Sequence, residues 1–383
     1  MHSLSAHDTS IPHIHTYAQK QQVQVEPAFW WAGMKHPQLQ LMLRGDKIGD
    51  RLVSISAPHI TIDSIVSGDP SAGRLSIDMQ QGEVKHIYTP DNKTSDYLFI
   101  YLNIAHAQAG KFTISLRTKA RGKSIELPYE LKKRQLAHGA QGFDSSDVVY
   151  LIMPDRFANG DGTNDRSQRV KHPDILDRKA QGDRHGGDLM GIMHRLGYLD
   201  SLGVTSLWLT PVQTNDMGRG SYHGYAITDY YRIDPRLGDN KLYCKLIQQA
   251  HQRGMKVIMD AVFNHCGALH PWITNLPFRD WINSSDSYVN TNHVKSCYYD
   301  PYTSRRDSTA FTDGWFVPSM PDLNQKNPHL ATYLIQNSIW WIEYAGIDGI
   351  RQDTYPYPYA PMMAEWCRRV MHEYPHFNIV GEA

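Results

Sequence analysis

The chain has 383 residues, 41% hydrophobic and 20% charged, which provides apolar material for two or three packed domains and excludes wholesale disorder. Lys plus Arg and Asp plus Glu number 39 each, so no net charge draws the chain to nucleic acid or to an anionic membrane. The longest apolar run, residues 97–105, falls well short of the roughly 18 residues that a membrane helix needs, and a soluble protein is expected.

Residues 1–22 read as a mobile terminus; the first 19 hold no Lys, no Arg and no apolar stretch, unlike a secretory signal. Residues 23–135 form a series of short alternating runs (39–43, 52–55, 74–79, 97–103, 111–117 and 124–131) separated by turn residues. That spacing predicts an all-β sandwich. Within it Trp30-Trp31 reads either as core or as a platform for stacking a sugar. Residues 136–147 are polar and contain Gly, which suits a linker.

From residue 148 to 383 the pattern becomes strand, helix, strand, helix. Short apolar runs at 148–153, 204–209, 255–261, 347–350 and 377–380 have the continuity of parallel strands buried on both faces. Leu189, Ile192, Met193, Leu196 and Leu199 follow helical spacing, as do Leu330, Leu334, Trp341 and Ile342. Asn327-Pro328 supplies an N-cap and a proline at the first helical position. Such βα units build either an open doubly wound sheet or a (β/α)₈ barrel. One connection, residues 266–326, is far longer than the usual 2 to 6, so it is expected to be a small inserted subdomain. Its Tyr, Trp and Asn content suits the wall of a polar cleft. Cys244, Cys266, Cys297 and Cys367 are too few for a disulfide framework.

In a barrel, chemistry sits at the C-terminal ends of the strands. Here the third run ends in Asp260-Ala261-Val262-Phe263-Asn264-His265, the fourth in Gly349-Ile350-Arg351-Gln352-Asp353 and the fifth in Val380-Gly381-Glu382. Three successive strands thus deliver a carboxylate to one rim. Arg351 and Asp353, two apart, share a face, and the guanidinium is expected to lower the Asp353 pKa and keep it ionised as a nucleophile. Glu382, after Ile379-Val380, is expected to be partly desolvated and protonated as a general acid. Two carboxyls in opposed environments are the equipment of glycoside hydrolysis, with retention if they stand about 5 to 5.5 Å apart. The bland alternative leaves Asp260 and Asp353 as strand caps or partners of Arg351, and His265 as a loop histidine. Beside Asp260 and Asn264, His265 reads instead as a donor to a sugar hydroxyl.

These three strings resemble, in order and spacing, the first three conserved regions of the α-amylase family, glycoside hydrolase family 13. Met320-Pro321-Asp322-Leu323-Asn324 is similar to a further family motif, with Asp where neopullulanase-like members usually carry Lys. Residues 27–34, Pro-Ala-Phe-Trp-Trp-Ala-Gly-Met, resemble the N-terminal domain of cyclomaltodextrinase and neopullulanase-type enzymes. The resemblance implies a retaining hydrolase of α-1,4 bonds in maltooligosaccharides, cyclomaltodextrins, pullulan or starch. Asp353 would be the nucleophile, Glu382 the acid/base and Arg351 the residue that orients Asp353. Asp260 would brace the network, His265 would contact the sugar, and Tyr225 of Tyr222-His223-Gly224-Tyr225 would stack beneath it or simply pack. It also implies a homodimer through the N-terminal domain and a periplasmic location, with a cytoplasmic one as the alternative. Hydrolysis versus transglycosylation stays open, and a catalytically inactive amylase-like protein that binds carbohydrate or a partner is the other class of reading.

Residues 155–165, with Gly186-Gly187-Asp188 downstream, cluster Asn and Asp oxygens in a way that suits Ca²⁺, which takes 6 to 8 oxygen ligands. The resemblance names Asn159, Asp161, Asn164, Asp165, Gly186 and Asp188 as ligands. The alternative is a metal-free Asx-rich turn, with Asp188 capping the helix that starts at Leu189. A closed barrel needs eight strands and five are legible. The chain is therefore expected to be the front part of a longer enzyme, inactive alone, whose third catalytic carboxylate lies outside it.

Overall fold

A computed structural model describes residues 23–118, 122, 124–135 and 140–383. The terminus assigned to residues 1–22 and part of the linker, 136–139, lie outside the described residues. The first domain is a β-sandwich of two four-stranded sheets. One runs Gln24–Glu26, Gln38–Arg44, Tyr97–Asn103, Thr61–Ser67, and the other Trp30–Trp31, Ile125–Lys132, Gly110–Arg117, Leu52–Ile55. Alternation sets the inner face: Phe112, Ile114 and Leu116 are buried while Thr113 and Ser115 are half-buried. Tyr97–Asn103 breaks that alternation because both of its faces are covered. Phe99 lies 5.4 Å from the ring of Phe278 and 6.2 Å from Trp281, both in the 266–326 insertion.

Trp30 and Trp31 are core. Each is 4% exposed, and Trp31 and Phe29 pack against Trp340 with ring centroids 6.4 and 5.3 Å away. Trp340 belongs to the helix Pro328–Ala345 of the second domain, so these aromatics form the seam between domains and not a sugar platform. Polar contacts reinforce the seam. Arg134 clamps Glu343 (2.6 Å) and Glu373 (2.7 Å) on two different helices. Tyr333 donates to Glu26 at 2.9 Å, and the Gln40 backbone amide and carbonyl bond the Gln336 side-chain oxygen and nitrogen at 2.8 Å each. The described linker residues are likewise pinned: Ala140 and Gly142 donate to the carbonyls of Ile347 and Asp348.

The second domain has five parallel strands, Val149–Ile152, Ser206–Leu209, Lys256–Ala261, Gly349–Gln352 and Asn378–Gly381, hydrogen-bonded in that order. Spatial order following chain order is barrel winding; a doubly wound sheet reverses at a switch point. The helices Leu189–Ser201, Asn240–His251, Pro328–Ala345 and Ala360–Glu373 alternate with the strands. Asn327 caps its helix by accepting from the amides of His329 and Leu330, with Pro328 in the first turn. An antiparallel pair, Gln213–Thr214 with Asp229–Ile233, unforeseen in the sequence, folds the loop after the second strand. The 266–326 insertion holds short helices, and its Trp272, Trp281 and Trp315 are buried, so its tryptophans build its own core more than a cleft wall. The four cysteines are free, and no helix among the described residues is long and apolar enough to cross a membrane.

Candidate active site

Strand register brings the acids together. Asp260 pairs with Arg351 across the third and fourth strands. Past the strand ends, the Asp353 amide donates to the Ala261 carbonyl (2.8 Å) and the Glu382 amide to the Gln352 carbonyl (3.0 Å). Arg351 is the hub. Its Nη1 donates to Asp260 (2.8 and 3.0 Å) and to Asp353 Oδ1 (2.9 Å), and its Nη2 lies 2.8 Å from Glu382 Oε2. Thr354, between two of these groups in space, has φ +47° and donates its amide to Glu382 Oε2 at 2.9 Å. A non-glycine residue held in the left-handed region beside charged groups marks stored backbone strain of the kind found at functional sites.

Three carboxylates converge on one guanidinium, and burial with that charge balance reverses the expected direction of the Asp353 shift. Asp353, 6% exposed, has its pKa pushed up to about 7 by burial first and then by Asp260 and Glu382, which outweigh the lowering by Arg351. Asp260, fully buried, is pushed up to about 6 by desolvation against the pull of Arg351, Trp208 and Tyr225. The sequence expectation of a lowered Asp353 is thus reversed, because one cation cannot compensate three anions in a dry site. The Glu382 side chain is 47% exposed in this chain.

Tyr225 joins the network: its hydroxyl donates to Asp260 Oδ2 at 3.0 Å, and the Arg351 guanidinium lies 5.7 Å from its ring centre. His265 does not offer the free donor expected of it. It is buried, Nε2 sits 3.1 Å from the Tyr225 carbonyl and Nδ1 3.3 Å from the Asn264 amide nitrogen. Burial pushes its pKa down to about 4, so the ring is neutral and holds the Tyr225 backbone. Trp208, missed in the sequence, donates to Asp260 Oδ2 at 3.1 Å, with the Arg351 guanidinium 5.2 Å from its ring centre. Its signal was alternation: Leu207 and Leu209 are buried on either side, which turns Trp208 to the other face of the strand. Asp322 of the further motif is buried and forms an antiparallel backbone bridge with His265, and desolvation raises its pKa well above the usual carboxylate range.

Hydrogen bonds tie together most of the candidate calcium ligands, but the Asp161 carboxylate turns to Thr163, whose amide donates to it at 3.0 Å. Asp188 caps its helix by accepting from Gly191 (2.6 Å) and also accepts from the amides of Gly160 and Asp161 and from Asn164 Nδ2. Asn159 donates to Asp165 Oδ1 at 2.7 Å. Gly186, at φ +82°, sits where a Cβ would meet Asp165 Oδ1 at 2.6 Å. The capping role of Asp188 therefore coexists with the cluster. Asn164 Oδ1 is buried without a hydrogen-bond partner, an acceptor that a hard cation would satisfy. Among the described residues no three His, Cys, Asp or Glu side chains form a metal cluster; the oxygen set here mixes acids with amides.

Comparison with known proteins agrees with this geometry. Residues 151–372 match the family described as alpha amylase, catalytic domain, and residues 24–72 and 68–135 match cyclomaltodextrinase, N-terminal. The chain is 34% identical over 273 residues to the intracellular maltogenic amylase of Bacillus subtilis (strain 168), covering 68% of this chain and 42% of that protein. It is 36% identical over 239 residues to neopullulanase 2 of Thermoactinomyces vulgaris, covering 61% and 38%. It is 39% identical over 223 residues to the cyclomaltodextrinase of Thermoanaerobacter pseudethanolicus (strain ATCC 33223 / 39E), covering 56% and 35%. The chain thus spans less than half the length of these curated relatives. Among solved structures, an Anoxybacillus α-amylase aligns at TM-score 0.52 and 34% identity over 62% of this chain and 47% of that one. A type III pullulan hydrolase from Thermococcus kodakarensis shares the fold at TM-score 0.50 and 23% identity, over 94% of this chain and 61% of that one. With the barrel winding, the acids at the strand ends and more than half the chain matched, the chain belongs to the α-amylase family of glycosidases.

Proposed function

We propose that the protein of which this chain is part is a retaining glycoside hydrolase that cleaves α-1,4 bonds of maltooligosaccharides, cyclomaltodextrins, pullulan or starch. The observation that carries the reading is Asp353 and Glu382 bound to the two terminal nitrogens of one guanidinium, with Asp260 bracing it from the next strand. Glu382 gives its proton to the glycosidic oxygen as the bond to the anomeric carbon breaks, and ionised Asp353 bonds to that carbon. Glu382 then takes a proton from water, whose oxygen displaces Asp353 and restores both acids. Arg351 holds the two carboxylates in position, Tyr225 supplies an apolar ring for a sugar face, and His265 acts through the Tyr225 backbone.

Ca²⁺ in the second cluster would be held by Asn159, Asp161, Asn164, Asp165, the Gly186 carbonyl and Asp188, supported by the orphaned Asn164 oxygen. It would cross-link the 159–165 loop to the start of the following helix. A homodimer through the N-terminal domain belongs to the same reading, and the name of the Bacillus relative favours an intracellular over a periplasmic location. A reducing-sugar assay on the complete protein with maltotriose, β-cyclodextrin, pullulan and starch tests the proposal. Turnover with α-anomeric product, lost in Asp353→Asn while binding persists, is expected. Unchanged behaviour of Asp353→Asn would overturn it in favour of a binding protein.

A further inference from the structure

The hairpin Arg74–Asp78/Glu83–Ile87 belongs to neither sheet of the sandwich. It lies on the catalytic domain, along the 266–326 insertion. The Leu276 amide donates to the Gly73 carbonyl (2.8 Å) and the Asp69 amide to the Pro277 carbonyl (2.8 Å). His86 places Nδ1 3.1 Å from the Ser285 hydroxyl, and Tyr88 donates to Asp286 at 3.0 Å. Arg279 pairs with Asp69 at 3.0 Å and lies 5.3 Å from the Tyr88 ring centre.

So fastened, the hairpin lays Ile77 against both the main core and a small apolar cluster separate from it. Met217, Ala226 and Ala268 form it, and Ile77, Leu269 and Met320 pack around them. Every catalytic-domain member follows a barrel strand: Met217 and Ala226 the second, Ala268, Leu269 and Met320 the third. Ala226 adjoins Tyr225, whose hydroxyl meets Asp260 and whose carbonyl holds His265. The segment is clamped from the other side as well, for the Gly267 amide donates to the Ile227 carbonyl at 2.8 Å. A group at the catalytic rim is thereby closed by a side chain from the N-terminal domain of the same chain.

We propose that Ile77 is a positioning residue for the glucan site: through the Met217–Ala226–Ala268 cluster it holds Tyr225 at the height that its contacts with Asp260 and the sugar require. The inference rests on the glycosidase reading above. Truncating Ile77 lets the Ala226 segment relax into the vacated space, and Tyr225 moves with it. Misplacement by 1 Å can cost on the order of 100-fold in rate, and a shift of a fraction of that distance predicts a loss on the order of tenfold.

The test uses the complete protein with maltotriose, comparing Ile77→Ala, Ile77→Val and Leu75→Ala. Leu75 is buried on the same hairpin, faces His86 across it while Ile77 faces Val84, and lies outside the cluster, so it reports the cost of loosening the hairpin alone. The expected result is a fall in kcat/KM on the order of tenfold for Ile77→Ala, expressed mainly in kcat, with most of it restored by Ile77→Val and little change in Leu75→Ala. Wild-type kcat/KM in a folded Ile77→Ala, or an equal fall in Leu75→Ala at a similar melting temperature, would overturn the positioning role while leaving the glycosidase intact. No turnover of any α-glucan by the wild type would overturn the reading beneath it and this inference with it.

Discussion

Replacing Arg351 by Met removes the one cation that three carboxylates share. Asp260 and Asp353 are 0% and 6% exposed, so at pH 8 the variant must either hold their charge in a dry site without a partner or take up protons to neutralise it. Breaking a buried pair in this way costs about 3–5 kcal/mol. The cost depends on pH, and its sign follows from the raised values of about 6 and about 7. Both folded carboxyls hold their protons to higher pH than the unfolded ones. Their contribution to stability is therefore present below about pH 4 and is lost as pH rises through 6 to 7. At pH 5 they are largely neutral, Arg351 has little charge to compensate, and the variant loses packing alone, about 1 kcal/mol. Urea unfolding of wild-type and Arg351→Met protein at pH 5 and pH 8 measures the difference. An equal loss at both pH values would refute the argument that Arg351 acts on buried charge.

The raised Asp353 pKa predicts that kcat/KM on maltotriose climbs with pH on an acid limb displaced above the ordinary carboxylate value of about 4, because only the ionised form attacks; a limb near pH 4 would contradict it. Chelation with EDTA should lower the melting temperature, and Ca²⁺ at about 100 times its dissociation constant should return about 2.7 kcal/mol. Calorimetry should show that uptake lost in Asp165→Ala, which leaves the Asp188 cap intact. Trp30→Ala should cost about 3–5 kcal/mol by emptying a buried aromatic site while leaving the KM of the folded protein unchanged; a raised KM without lost stability would restore the sugar-platform reading.

Elements whose signal is local were legible. The five parallel strands and the Asn327-Pro328 helix start follow from apolar runs and capping chemistry, and the three strand-end acids followed from where barrels keep their chemistry. Thr61–Ser67 was missed because it is a largely exposed edge strand with no buried alternation to betray it. The placement of Trp30-Trp31 was ambiguous because a tryptophan carries the same letters in a core and on a platform; Trp340, the partner of Trp31, lies more than 300 residues away. Electrostatics were least legible. A neighbouring arginine in the sequence argues for a low Asp353 pKa, whereas the outcome depends on how many acids reach that arginine, which only the strand register decides.

The Arg134 clamp bears on how this architecture can change. One guanidinium on the last stretch of the sandwich is committed to two helices of the barrel, and the linker contributes its own backbone to the barrel strands. The two domains should therefore melt in one calorimetric transition, not as separable modules. Grafting this sandwich onto another barrel would require transplanting Glu343 and Glu373 with it, so domain shuffling in this lineage is constrained by salt bridges that lie outside the chemistry.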